Sequence, residues 1–372
     1  LTAGGKYFTT KNGSSLMAFR LPQEAPAGFL LTASHSDSPC FRLRDHAELT
    51  GEYIRLSAER YGGMINDSWL DRPLSVAGRV LVRREGGLEA RLVDLKRDVA
   101  LIPRVAIHLN RETNSGVKYD PARDLVALYA AGTGSGSFYR EVARTADCAP
   151  EDVVAGDLVL YNNQPGTVWG PEGEFVSAPR LDDLACVFAC TEGFLTAQER
   201  DMVPVLCVFD NEEIGSETKQ GAASVFLPET LAAISEALGL SAADHRALLA
   251  DSMMLSCDNG HARHPNHPEL ADTNEAPVPN GGVVVKHSPP LRHGRRVRRR
   301  VYGALPPGRG AGAALRQPSR SDGRSHAGEH RRHQAAHPHG GHRHGPAGHA
   351  LLLRDHGQPG RGGLCPGRAG LL

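Results

Sequence analysis

The chain has 372 residues, is 40% hydrophobic, and carries 42 Lys+Arg against 42 Asp+Glu. That length supports a large core and more than one domain, while the balanced charge gives no electrostatic reason to bind nucleic acid or an anionic membrane. No apolar run is long enough to span a bilayer, and the polar stretch from Leu1 to Ser15 does not read as a signal peptide, although a chain opening on Leu rather than Met reads as truncated or misassigned at its start.

In chain order, Gly28 to Ala33 is an apolar run that reads as a strand leading into His35. From about Asp71 to Pro165 the runs are shorter (Leu74–Val82, Val105–Leu109, Asp157–Tyr161) and turn residues are many, so this segment reads as an inserted, mainly β domain. Leu181 to Ala197 is long and largely apolar and reads as a helix, with Asp182 and Asp183 expected in its first turn, where the helix dipole favours carboxylates. Val203 to Phe209 is a buried strand leading into Asp210-Asn211-Glu212-Glu213, and Met253 to Ser256 is another leading into Asp258. Polar residues thus follow the C-terminal ends of apolar strands, the edge at which α/β sheets build their sites. The seven cysteines are odd in number and mostly lie in apolar runs, which fits buried thiols in a reducing cytoplasm better than a disulfide framework.

Four motifs carry chemistry. In His35-Ser36-Asp37-Ser38-Pro39 a neutral imidazole can bind a metal while a carboxylate two residues on takes its other N–H and fixes the tautomer; a purely structural His is the alternative. In Ser177-Ala178-Pro179-Arg180-Leu181-Asp182-Asp183 the turn would present Asp182 to the strand ends, where a carboxylate can bridge two cations, or else Asp182 caps the helix. In Asp210-Asn211-Glu212-Glu213-Ile214-Gly215 one glutamate can bind metal while the other acts as general base, or the pair lies in a solvated loop. The stretch from Ser256 to Pro268 offers Asp258, His261, His264 and His267, of which some are ligands, some hold substrate and some bond backbone.

Together these motifs resemble the M18 family of metallopeptidases, aspartyl aminopeptidase and its bacterial relatives, from Leu1 to about His287, with Ser-Ala-Pro-Arg-Leu-Asp-Asp and Phe-Asp-Asn-Glu-Glu-Ile-Gly-Ser the specific segments. The resemblance implies an α/β fold, with an α/β/α sandwich catalytic domain in two parts (1–70 and 166–287) around an inserted β dimerisation domain (71–165). It implies two zinc ions per subunit, with His35 and Asp258 on one, Glu213 on the other and Asp182 bridging. Asp37 would orient His35, Glu212 would be the general base, and His261 and Lys286 would contact substrate. His108 would reach the partner subunit's active site, and dimers would build a dodecamer. The expected activity is removal of N-terminal residues from peptides, acidic ones preferred or a broader set, in the cytoplasm. A deacetylase on a similar scaffold, or a non-catalytic subunit, are the rival readings.

The last stretch departs from that family. Lys occurs six times, last at Lys286, and from Ser288 onward there is no Lys, Ile, Phe, Met, Asn, Thr or Trp, while ten of the eighteen histidines fall there. The family's final zinc ligand, a His in a Met-His-Ser motif, is missing. Joining the last two bases of each codon to the first base of the next permits it. Read this way, His326 to Arg331 permits Thr-Leu-Gly-Asn-Ile, His339 to Gly345 permits Met-Val-Asp-Ile-Gly-Met, and His349 to Gly357 permits Met-His-Ser-x-Tyr-Glu-Thr-Met. Each step is permitted rather than forced, but the step from His349 to Ala350 allows only Met or Thr. Residues 288–372 therefore read as an out-of-frame, low-complexity tail, expected to be disordered. The alternative is a genuine basic, His-rich tail that binds RNA or metal. On the first reading this chain lacks one zinc ligand and is impaired, or is the product of a pseudogene that keeps only an oligomerising role.

Overall fold

The computed structural model describes residues 1–132, 134–198, 201–272, 274, 276–287 and 312–316. The chain opens with an antiparallel hairpin, β1 (Lys6–Lys11) and β2 (Ser15–Arg20), and continues into β3 (Gly28–His35). A second sheet follows, with β4 (Cys40–Leu49), β5 (Tyr53–Tyr61), β6 (Pro73–Arg84), β7 (Gly87–Asp94), β8 (Ala100–Leu101) and β9 (Ala127–Ala131). After helix α1 (Ser137–Thr145), β10 (Val153–Tyr161) returns to that sheet. A short hairpin, β11 (Thr167–Trp169) and β12 (Phe175–Ser177), leads to α2 (Leu181–Thr196). Then come β13 (Met202–Phe209), α3 (Phe226–Ala237), α4 (Ala242–Asp251) and β14 (Met253–Ser256).

The first sheet has the order β1-β2-β13-β3-β14. β13 and β14 both run parallel to β3, with Phe209 opposite His35 and Ser256 opposite Ala33. All three strands therefore end at one edge. Alternation along β13 decides its two faces. Val203, Val205, Cys207 and Phe209 pack with Phe29, Leu31 and the α3 and α4 residues Phe226, Leu231, Ile234 and Leu248. Leu206 and Val208 point the other way, onto Cys190 of α2. With α2 on one face and α3 and α4 on the other, the sheet is the middle layer of the expected α/β/α sandwich.

The second sheet has the order β10-β4-β5-β9-β8-β6-β7, and β10 pairs with β6 as well as with β4, so it closes on itself. Its own core contains Phe41, Leu56, Leu74, Val76, Ile102, Phe138 and Leu160. Closure brings β6 and β10 into tight contact at Gly78, where φ is +150° and a Cβ would collide with the main-chain oxygen of Asp157; only glycine fits there. The sheet draws β4 and β5 from before Asp71 as well as strands from the 71–165 segment.

Two local expectations are corrected. Val105–Leu109 is not a strand: after Pro103, which has no N–H for a ladder, the chain turns back so that Leu109 N–H donates to Ala106 O at 2.8 Å. Asp182 and Asp183 do not sit in a regular helical turn, since their backbones (ψ 112° and 21°) are non-helical and the regular turns start after them. These carboxylates therefore stand just ahead of the regular turns of α2 rather than inside its first one.

The first unit of the chain runs from Leu1 to Asn259, and a second begins at Gly260. In the second, β15 (Val284–His287) pairs in parallel with β16 (Gly312–Arg316). Apart from β16, the tail read as out of frame lies outside the described residues. Among the described residues no helix is long and apolar enough to cross a membrane.

Candidate metal centre

At the shared end of β3, β13 and β14, four side chains converge: His35, Asp182, Asp183 and Asp258 each offer a ligand atom, all within 4.8 Å of one another. His35 is the last residue of β3 and is buried. Asp258 follows β14, and Asp182 comes from the irregular turn before α2. His35 Nε2 lies 3.6 Å from Asp182 Oδ1 and 4.0 Å from Glu212 Oε2. Asp183 is fully buried, and its Oδ2 accepts the His35 main-chain N–H at 3.2 Å.

Behind His35 stands Asp37. Its Oδ1 is 3.3 Å from His35 Nδ1 and accepts the main-chain N–H of Glu212 at 3.0 Å. Its Oδ2 accepts the main-chain N–H of Glu213 at 3.1 Å and the Tyr61 hydroxyl at 2.7 Å. His35 Nδ1 also lies 3.1 Å from the Asp37 main-chain oxygen, so Asp37 orients the imidazole through backbone and carboxylate together, and its carboxylate anchors the Glu212-Glu213 turn. That turn is set by Asn211, whose left-handed backbone (φ +64°) reverses the chain straight after β13. Glu213 packs over Gly62, whose φ is +76° and where a Cβ would lie 2.9 Å from Glu213 Cβ.

The electrostatics call for a cation. Burial pulls the His35 imidazole down, but the Asp37 hydrogen bond and the Asp183, Asp37 and Glu212 carboxylates outweigh it, so its pKa rises to about 9. Burial raises Asp183 to about 6. Asp37 is held below the usual carboxylate range, because its bonds to His35, Tyr61 and the Glu213 N–H overcome its burial. Three carboxylates this close repel one another unless positive charge lies among them, and carboxylate oxygens beside an imidazole nitrogen suit zinc. The donor set therefore fits a metal.

The other residues singled out in the sequence are placed as follows. Glu212 borders the cluster, and Glu213 is its neighbour but lies outside the group of four. His108 is exposed in the turn Ile107–Leu109. His261 and Lys286 belong to the second unit, His261 exposed and Lys286 on β15. Three residues of the site were missed. Asp183 reads from the sequence as a first-turn carboxylate beside Asp182 and not as a site residue. Asn211 sat unremarked inside Asp-Asn-Glu-Glu. Tyr61 carries no local motif at all.

A buried imidazole and convergent carboxylates at the C-terminal ends of three parallel strands, inside an α/β/α sandwich, define a metal-dependent hydrolase scaffold. The comparisons with known proteins make this specific. The model of the aminopeptidase I zinc metalloprotease (M18) family matches residues 1–299. The chain belongs to the M18 family of zinc aminopeptidases, hydrolases that act on peptides. It is 40% identical to a probable M18 family aminopeptidase 2 of Clostridium acetobutylicum, over 77% of this chain and 69% of that protein. It is 37% identical to the protein of the same name from Pseudomonas aeruginosa, over 76% and 67%. Among solved structures it resembles Chaetomium thermophilum mApe1 (TM-score 0.70, 30% identity, 77% of this chain and 71% of that one). It also resembles the S. cerevisiae mApe1 dodecamer (TM-score 0.68, 31% identity, 78% and 68%).

Proposed function

We propose that the protein is an aminopeptidase built to hold two zinc ions, and that in this chain the second of the two is poorly held. The observation that carries the first part is the convergence of His35, Asp182, Asp183 and Asp258 with Glu212 at its border. His35 and Asp258 would hold one ion, Glu213 the other, and Asp182 would bridge them. Bound zinc supplies Lewis-acid chemistry, lowering the pKa of water and polarising the scissile carbonyl. Glu212 takes the proton of the attacking water and returns it to the departing amine. Asp37 keeps the His35 tautomer and aims the Glu212 turn at once. His108, given by a partner subunit, and His261 and Lys286 would contact the substrate, Lys286 pairing with an acidic first side chain. The dodecamer of the mApe1 relative makes a homo-oligomer built from dimers the expected assembly, with the second sheet at the dimer contact and the cytoplasm as its setting.

The loss of the second ion follows from the sequence after Lys286, where the last His ligand is missing from this reading frame. The test has two parts. Resequencing the codons for Lys286 to Pro290 should find one base missing or extra. The chain as written should bind about one zinc and fail to release the N-terminal residue of a free Asp-peptide, whereas the frame-restored chain should bind two and release it, leaving an N-acetylated peptide intact. Family-like activity from the chain as written would overturn the impairment. Cleavage of the acetylated peptide would favour the deacetylase reading.

A further inference from the structure

We infer that Tyr61 is the positioning residue that holds Asp37 in the one orientation from which it serves both halves of the metal centre. This rests on the proposed reading of the cluster as a metal site.

Asp37 has two oxygens and two tasks. Oδ1 faces His35 Nδ1 and the Glu212 N–H, and Oδ2 faces the Glu213 N–H. Each task depends on the rotation of the carboxylate about its last bond, a broad torsion that packing alone fixes poorly. The Tyr61 hydroxyl donates to Oδ2 at 2.7 Å and so pins that rotation. The hydroxyl is itself pinned, because it accepts from Asn211 Nδ2 at 2.7 Å. Asn211 Oδ1 in turn accepts the Thr218 hydroxyl at 2.7 Å, and Asn211 O accepts the Ser216 N–H at 2.8 Å. The series Thr218, Asn211, Tyr61, Asp37, His35 is a continuous run of polar contacts in which each member fixes the next. Tyr61 ends β5, in the second sheet, opposite Cys40 of β4. His35 ends β3, in the first. The phenol is thus the point at which the second sheet grips the metal centre. Burial and the adjacent Asp37 carboxylate push the phenol pKa far above neutrality, so the hydroxyl keeps its proton and remains a donor.

Tyr61→Phe removes one oxygen and keeps the ring. The test uses the full chain, stripped of metal and titrated with cobalt(II) alone, read by its visible d–d absorption and its apparent Kd. Removing a group that orients a ligand typically weakens metal binding by about 10–100-fold, and the expected result is a loss of roughly 10-fold with a changed d–d band. Leu74→Val is the structural control, since it opens the second core without touching Asp37, and it should leave both readouts unchanged. A Tyr61→Phe chain that titrates like the parent overturns the inference, as does a Leu74→Val chain that changes as much. If Tyr61→Phe does not fold, Asn211→Gly keeps the left-handed backbone and removes the amide from the hydroxyl. It should weaken cobalt binding in the same sense, and unchanged binding overturns the inference. A parent chain that takes up no cobalt at all sinks the metal-site reading itself, which is a different failure from a parent that binds while Tyr61→Phe binds equally.

Discussion

The side-chain amide of Asn259 donates to the main-chain carbonyl of Leu181 at 2.6 Å, fastening the loop that carries Asp258 to the turn that carries Asp182. β14, which delivers Asp258, is only four residues long and, among the described residues, lies at the edge of its sheet, so the strand alone is a weak guide. Asn259→Ala should weaken binding of the first metal by roughly 10-fold, measured by competition with a chromophoric chelator. An unchanged affinity would mean that the strand suffices.

Gly62 lies directly against Glu213. Gly62→Ala places a side chain on a left-handed backbone, at a cost of about 1–2 kcal/mol. It also pushes the Glu213 carboxylate, whose Oε2 would sit 3.3 Å from the new carbon. In the frame-restored protein the expected result is loss of the second zinc with the first retained, read by metal analysis after dialysis.

On the proposed reading Glu212 transfers the proton and Glu213, not Glu212, holds metal. In the frame-restored protein Glu212→Gln should lower kcat by about 10²–10⁴-fold, the usual worth of a general base, with zinc content unchanged. If zinc is lost along with activity, Glu212 is a ligand and the roles of the two glutamates are exchanged.

Far from the site, Ser241 caps α4 in a reciprocal arrangement, its hydroxyl oxygen accepting the Asp244 N–H while the Asp244 carboxylate accepts the Ser241 N–H. Ser241→Ala should lower the melting temperature by roughly 2 °C. The Ser241 hydroxyl and N–H hold the Asp244 carboxyl below its ordinary value of 3.8. A depressed carboxyl contributes stability above its unfolded value and loses it as pH falls through its folded one, so the gap between parent and variant should narrow in acid to the part in which the Ser241 oxygen accepts the Asp244 N–H.

The strand ends were legible because burial writes itself as apolar runs: β3, β13 and β14 and the polar residues after them follow from the sequence pattern. His35, Asp182 and Asp258 were found through motifs and do converge. Val105–Leu109 misled because an apolar run reads as a buried strand whether or not it is covered, and Leu109 is 83% exposed. Tyr61 was invisible for the opposite reason. Its role comes from a contact with Asp37, 24 residues away, and with Asn211, 150 residues away, and no local pattern records such a meeting.

The strand order of the first sheet has a consequence for synthesis. β2 and β3 leave the ribosome one after the other, yet they are not neighbours, because β13 lies between them. At common elongation rates of about 5–20 residues per second, β13 emerges roughly ten to thirty seconds after β3. Throughout that interval the N–H and C=O groups of β2 and β3 that β13 will pair are unpaired, and pairing β2 directly to β3 would give the wrong order. The intervening second sheet, with its separate core, can fold during the wait.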